Sequence, residues 1–211
     1  MRVLVISDIH ANYVALEAVL ADAHGRYDII WNLGDTIGYG PRPNECMDRM
    51  LALNTIMIAG NHDFLFENSP EVAKDILDRI GPGIIYLNDS GVELEGLKFW
   101  GSPVTPWFHN WAFNRVGEKI NEHWDLIPTD VNILITHGPP YLTLDATKSG
   151  LRVGCPELAN KIKDLSDLKV HVFGHIHEAE GIVEKNGVIY VNATILDLYY
   201  EVKNSPVILH V

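Results

Sequence analysis

The sequence is poor in cysteine, in basic charge, in long apolar runs and in linker-like segments, and each shortage removes a class of protein. Of 211 residues only Cys46 and Cys155 are cysteines. They are isolated and lack Cys-x-x-Cys spacing, so neither a zinc knuckle nor a redox pair is indicated. No stretch approaches the roughly 18 apolar residues of a membrane span, and the N-terminus enters a hydrophobic run without a basic region, apolar segment or cleavage site. A soluble cytoplasmic protein with no membrane partner is expected. Lysine and arginine number 16 against 28 aspartates and glutamates, a formal net charge of −12. That balance argues against a broad interface to a phosphate backbone, so no extended nucleic acid is expected as a partner. No Ser/Gly-rich linker, repeat or shift in composition divides the chain, and 47% of it is hydrophobic. One domain covering residues 1–211, with a substantial core, is expected.

What is present is a recurring ending. Val3-Ile6 leads into Asp8-Ile9-His10, Ile29-Leu33 into Gly34-Asp35, and Thr55-Ala59 into Gly60-Asn61-His62-Asp63. Asn132-Ile135 leads into Thr136-His137-Gly138-Pro139-Pro140, and Val170-Phe173 into Gly174-His175-Ile176-His177. Every run thus delivers oxygen or imidazole donors just past core residues. His175 and His177, read as alternate residues of a strand, are expected to share a face and reach one point. Aspartate, asparagine and histidine without thiolate suit manganese, iron, nickel or zinc better than calcium. Asp8, His10, Asp35, Asn61, His137, His175 and His177 overfill a single site that keeps a position for water. A pair of ions sharing one carboxylate uses them all, and such pairs, roughly 3.5–4 Å apart, serve in-line phosphoryl displacement.

These blocks, in this order and spanning residues 8 to 177, resemble the calcineurin-like metallophosphoesterases. The resemblance implies two divalent ions, manganese first among the candidates. One is held by Asp8, His10 and His177 and the other by Asn61, His137 and His175, with Asp35 bridging. It implies His62 as a proton donor or charge stabiliser near the leaving oxygen, and Asp63 as the partner that fixes the His62 ring. A hydroxide between the ions is the expected nucleophile. Two ions against two carboxylates and a hydroxide leave a charge of about +1 toward the substrate, which favours an anionic phosphoester over a neutral ester or amide. His24, His109, His123, His171 and His210 fall outside the set, with His109 the most open of them to a role.

Ile- and Val-rich runs alternate with helical patterns, which points to an α/β fold. Helices are expected from Tyr13 to Leu20, from Asn44 to Leu53, from Ser69-Pro70-Glu71 to Gly81-Pro82-Gly83, and over about Val116 to Leu126 and Pro156 to Leu165. Glu95-Gly96 and Asn186-Gly187 each mark the turn of an antiparallel hairpin, and Val207-Val211 reads as a last strand. The expected architecture is two mixed β-sheets packed as a sandwich flanked by helices, which is also what the resemblance implies.

For the substrate, the aromatic segment Trp100 to Phe113 reads as a substrate wall, a mini-core under a loop, or a subunit contact that would make an oligomer. Trp107 and His109 are its candidate substrate contacts. Arg152, with Lys148, is either a clamp for a non-reacting phosphate or solvated surface charge. Over residues 99 to 195 the sequence resembles the brain-expressed metallophosphodiesterase group of animals and its microbial relatives, whereas Gly34 to Pro41 and Asn61-His62-Asp63 look like compact prokaryotic phosphoesterases. The resemblance implies a small phosphodiester substrate, cyclic nucleotides among the candidates. A phosphomonoesterase is the alternative within enzymes, and a non-catalytic scaffold of the same fold is the alternative outside them.

Overall fold

The uninterrupted apolar runs fold as interior parallel strands, which are covered on both faces and therefore read without polar alternation. The computed structural model describes residues 1–80 and 83–211. In chain order the strands are β1 (Arg2–Ile6), β2 (Ile29–Asn32), β3 (Thr55–Met57), β4 (Ile84–Tyr86), β5 (Ser90–Leu94), β6 (Leu97–Ser102), β7 (Thr105–Pro106) and β8 (Asn114–Arg115). They continue as β9 (Ile133–Thr136), β10 (Val170–Phe173), β11 (Gly181–Lys185), β12 (Val188–Asn192) and β13 (Val207–His210). One sheet has the order β13-β1-β2-β3-β4 and the other β11-β12-β10-β9-β6-β5, with β7 and β8 as a small separate pair. The centres of both large sheets are parallel, and β13, β5 and β11 add antiparallel edges.

Alternation along each strand splits its side chains between two cores. Val3, Val5, Trp31, Leu33, Ile56 and Ile58 of the first sheet meet Phe99, Ile133, Ile135, Val170, Val172 and Val191 of the second. The opposite face of the first sheet, with Leu4, Ile6 and Ile30, packs on Ala15, Leu16, Val19 and Met50. Leu134 and Trp100, on the outer face of the second sheet, pack on Trp124 and Leu158. Each fully buried aliphatic side chain contributes about 1.5–3 kcal/mol.

The helices are α1 (Tyr13–Asp22), α2 (Pro43–Leu51), α3 (Phe64–Asn68), α4 (Pro70–Ile80), α5 (Asn121–Trp124) and α6 (Pro156–Lys161). Asn12 caps α1 by accepting from the Ala15 N–H at 3.0 Å, and prolines open α2 and α6. The helix expected over Val116 to Leu126 is instead a 3-10 turn, Gly117–Ile120, running into the single turn of α5. Gly117 enters with φ of 57°, which is outside helical space. The five-residue α3 and three-residue β4 are additions to the expected set, both too short to show a period. Of the expected end of α4, Gly81 and Pro82 lie outside the described residues. Among the described residues no helix is long and apolar enough to cross a membrane.

Register decides where the site forms. Ile6 pairs with Asn32 and Asn32 with Met57, so β1, β2 and β3 end level. In the second sheet Val172 pairs with Ile135 and Phe173 with Asn192. Ser7 then bridges to Thr194, joining the two sheets at this same edge. Sites of open α/β sheets form beyond such carboxyl ends.

Candidate metal centre and active site

The donors sit on strained turns. Asp8, His10, Asp35 and His175 have φ of 59°, 50°, 54° and 70°, a left-handed region that Asp and His tolerate better than most residues. Two of these turns are zipped together, with the Asp8 N–H donating to Gly34 O at 3.1 Å and the His10 N–H to Asp35 O at 2.7 Å. Glycine is required where turns nearly touch. A Cβ on Gly60 would overlap Asp35 Oδ1, and one on Gly174 would overlap Ser7 Oγ and Asp8 Oδ2.

The placement of His175 and His177 corrects the expectation that they lie on a strand and reach one point. β10 ends at Phe173, His175 is left-handed, and His177 opens a 3-10 turn. The rings diverge as a result. His177 joins Asp8 and His10, while His175 joins Asp35 and His137. A third convergence, of His10, Asp35 and His62, links the two groups.

Each carboxylate is divided between backbone and cluster. Asp8 Oδ2 accepts from the His175 N–H at 2.9 Å and Asp35 Oδ1 from the His62 N–H at 2.7 Å. Asp8 Oδ1 and Asp35 Oδ2 are buried and, among the described residues, have no hydrogen-bond partner. They face imidazole nitrogens instead: His177 Nε2 lies 3.6 Å from Asp8 Oδ1, and His10 and His137 Nε2 lie 3.6 and 3.4 Å from Asp35 Oδ2. Carbonyl oxygens orient two of the rings from behind, Leu33 O taking His137 Nδ1 at 2.9 Å and Asp197 O taking His177 Nδ1 at 3.1 Å. Asn61 brings Oδ1 to 2.9 Å from His137 Nε2. Unpartnered buried carboxylate oxygens facing aimed imidazoles fit divalent cations, because a buried charge needs a partner.

The electrostatics agree with that fit. Burial would raise the Asp8 and Asp35 carboxyls, but the positive charge of His177 beside Asp8 and of His137 beside Asp35 holds both well below the usual range. Burial likewise opposes charge on His137 and His177, yet Asp35 and Asp8 respectively lift them to about 9. His175, with burial dominant, falls to about 3. The carboxylates therefore recruit positive charge onto the cluster.

Asp63 does not hold the His62 ring. Its Oδ2 accepts from the N–H groups of Thr36 (3.1 Å) and Gly60 (3.0 Å), and Oδ1 from that of Ile37 (2.9 Å). Both oxygens are thereby committed to backbone, and Asp63 ties the turn carrying Asp35 to the turn carrying Asn61. Burial and the nearby Asp35 raise its carboxyl above the ordinary value. The His62 ring stands 4.5 Å from Trp111 and 5.1 Å from His10 between centroids, and burial lowers its pKa against the pull of Asp35.

A cleft of about 510 Å³ opens over His10, Asp35, His62, His175 and His177. Trp107, Phe108, Trp111, Leu151, Val153, Leu198 and Tyr200 help to line it, and among the described residues no lysine or arginine does. Trp107 is thus placed at the cleft. His109 is not among the lining residues and lies against Phe108 and Trp111. Arg152 is also outside the lining, its Nη1 bonded to Asp145 Oδ1 at 2.8 Å. Tyr200 and Trp111 are contacts that the sequence did not single out. Trp111 lay within the aromatic segment, whereas Tyr200 stands next to Tyr199 in a short loop with no motif around it. A second hollow, of about 590 Å³ between Pro140 and Tyr190, is lined by no acid or histidine among the described residues.

The pattern of calcineurin-like phosphoesterases matches residues 1–179. The chain belongs to the calcineurin-like phosphoesterases. Among relatives of this phosphoesterase, Metallophosphoesterase domain-containing protein 1 of Homo sapiens is 33% identical over 234 residues, an alignment covering 99% of this chain and 70% of that protein. An uncharacterized protein of Methanocaldococcus jannaschii is 39% identical over 101 residues, 47% of this chain and 41% of that one. The solved structure of TT1561 from Thermus thermophilus superposes with a TM-score of 0.63 at 17% identity, covering 90% of this chain and 88% of that one. A structure described as a novel archaeal phosphodiesterase gives a TM-score of 0.50 at 18% identity over 99% and 100% of the two chains. At those identities the structures establish a common fold. Family membership implies a metal-dependent phosphoester hydrolase; the family uses a dinuclear divalent centre, and the acid and histidine clusters of this chain offer donors for one.

Proposed function

We propose that this phosphoesterase hydrolyses small phosphodiesters, with nucleotide-like diesters among its substrates. Asp8, His10 and His177 would hold one divalent ion and Asn61, His137 and His175 the other, with Asp35 shared between them. Ions bound there would supply Lewis acidity and would activate water for attack on phosphorus. His62 faces the cleft beside His10 and Asp35, where its imidazole N–H would stabilise the leaving ester oxygen by a hydrogen bond or, from the imidazolium form, hand it a proton. Asp63 keeps the two donor turns in register. Trp107, Phe108 and Trp111 exclude water and offer flat apolar surface to the organic group, where base stacking contributes about 1–3 kcal/mol.

The observation that carries this reading is a pair of buried carboxylate oxygens without hydrogen-bond partners, Asp35 Oδ2 at the floor of the cleft and Asp8 Oδ1 beside the His177 that lines it, in a cleft that, among the described residues, no lysine or arginine lines. The floor calls for cations. The wall, apolar but for Glu178, Thr147 and the Tyr200 hydroxyl, suits a diester with one negative charge better than a monoester with two. The test is hydrolysis of bis(4-nitrophenyl) phosphate and 4-nitrophenyl phosphate by metal-stripped protein titrated with manganese, then iron, nickel and zinc. Metal-dependent turnover favouring the diester supports the reading, and a preference for the monoester replaces it with a phosphomonoesterase. Two bound ions without turnover of either ester would favour the scaffold.

A further inference from the structure

Behind His177, the segment following β12 is organised around a single side chain. Leu196 and Val202 form an antiparallel bridge that closes the chain into a tight turn. Within it the Asp197 N–H donates to Glu201 O and the Asp197 carbonyl accepts from the Tyr200 N–H, each at 2.9 Å. The carboxylate reinforces the same turn, because Oδ1 accepts from the N–H groups of Tyr199 (2.8 Å) and Glu201 (3.1 Å). Its Oδ2 meets Lys203 Nζ at 2.6 Å. Aspartate at the head of a turn characteristically bonds its own downstream backbone in this way.

Two products of the turn reach the metal cluster. The Asp197 carbonyl that accepts from Tyr200 also accepts from His177 Nδ1 at 3.1 Å, which places the ring proton on Nδ1 and turns Nε2 toward Asp8 and His10. Tyr200 is the second. It sits at φ of 59°, a costly conformation for a bulky residue that persists only where surroundings over-determine it. Its ring stands edge-on to His10 at 5.1 Å and to His177 at 5.5 Å, and stacks on Tyr39 at 4.6 Å.

We propose that Asp197 is a positioning residue for the Asp8, His10 and His177 cluster. Its side chain locks the turn, the turn's carbonyl aims His177, and Tyr200 closes that wall of the cleft. The inference rests on the metal-dependent reading above. It separates the two Asp197 oxygens by role, with Oδ1 fixing the backbone and the Lys203 ion pair dispensable.

The experiment is calorimetric titration of metal-stripped protein with manganese, comparing wild type with Asp197→Ala, Asp197→Asn and Lys203→Ala. Asp197→Ala is expected to weaken one of the two binding events by about 10–100-fold and leave the other near wild type. Asp197→Asn, which keeps an acceptor at Oδ1, and Lys203→Ala are expected to bind as wild type does. Should Asp197→Ala melt below the titration temperature, Asp197→Ser, whose hydroxyl accepts the same kind of turn bond, takes its place and is expected to bind both ions close to wild type. The inference is overturned if Asp197→Ala binds both ions unchanged, if Asp197→Asn is as weak as Asp197→Ala, or if a folded Asp197→Ser loses one binding event. Wild-type protein that takes up no manganese would instead overturn the metal-dependent reading, and this inference with it.

Discussion

His62 is the side chain at which metal binding and turnover should come apart. It faces the cleft and its ring meets Trp111 and His10, while both proposed ion positions are supplied by other residues. His62→Ala is expected to retain both ions by calorimetry and to lose roughly 10²–10⁴-fold in kcat; full activity would remove it from the mechanism. His171 poses a different problem, one of stability. It is fully buried, and Thr136 Oγ1, which donates to Gly138 O at 2.8 Å, has only an acceptor left to offer His171 Nε2 at 2.8 Å. His171 Nε2 therefore donates, its Nδ1 has no hydrogen-bond partner among the described residues, and burial keeps the ring neutral by pushing its pKa down to about 3. The unfolded chain, with a histidine pKa near ~6.5, takes up a proton that the folded chain refuses. Stability from this residue is intact above that pH and is lost as pH falls toward 3, by up to about 1.4 kcal/mol per pH unit. Urea unfolding of wild type and His171→Phe should show the wild type losing more stability between about pH 7 and pH 4.5.

Elements meet the site through their ends, and Asp63 is the tie between two of those ends. Asp63→Ala would strand three N–H groups, those of Thr36 and Gly60 buried and that of Ile37 partly buried, at an expected cost of about 2–5 kcal/mol in urea unfolding of the metal-free protein. Asp63→Asn, keeping one acceptor oxygen, should cost less. The sequence exposed these ends well: interior parallel strands are continuous apolar runs, and Asp8, Asp35, Asn61 and His137 follow them directly. It did not expose how the turns bend. Two-residue spacing made His175 and His177 look like strand neighbours, and nothing in Gly174-His175-Ile176 announces a φ of 70°. Partners distant in sequence were equally hidden. Asp63 stands beside His62 in the chain yet bonds across to Thr36 and Ile37, and Tyr200 reaches His10 from near the other end of the chain. Arg152 looked free because Asp145, which binds it, lies on the other side of an intervening loop.

At the scale of the whole molecule, the two sheets share the donors. Asp8, Asp35 and Asn61 follow β1, β2 and β3, while His137, His175 and His177 follow β9 and β10. Ions held between them would staple one sheet to the other. Two ions, each at about 100 times its dissociation constant, would stabilise the fold by about 5 kcal/mol. Chelation should then lower Tm by about 10 °C or more, measured by scanning calorimetry with and without manganese; an unchanged Tm would count against a site shared by both sheets. Deep between the same sheets, Trp31 of β2 meets Phe99 of β6 edge-on, with ring centroids 5.4 Å apart. Trp31 leads along its strand to Asp35, and Phe99 pairs with Ile133 at the start of the strand that ends before His137. These rings act as a spacer between the two sheets whose ends carry the facing donors.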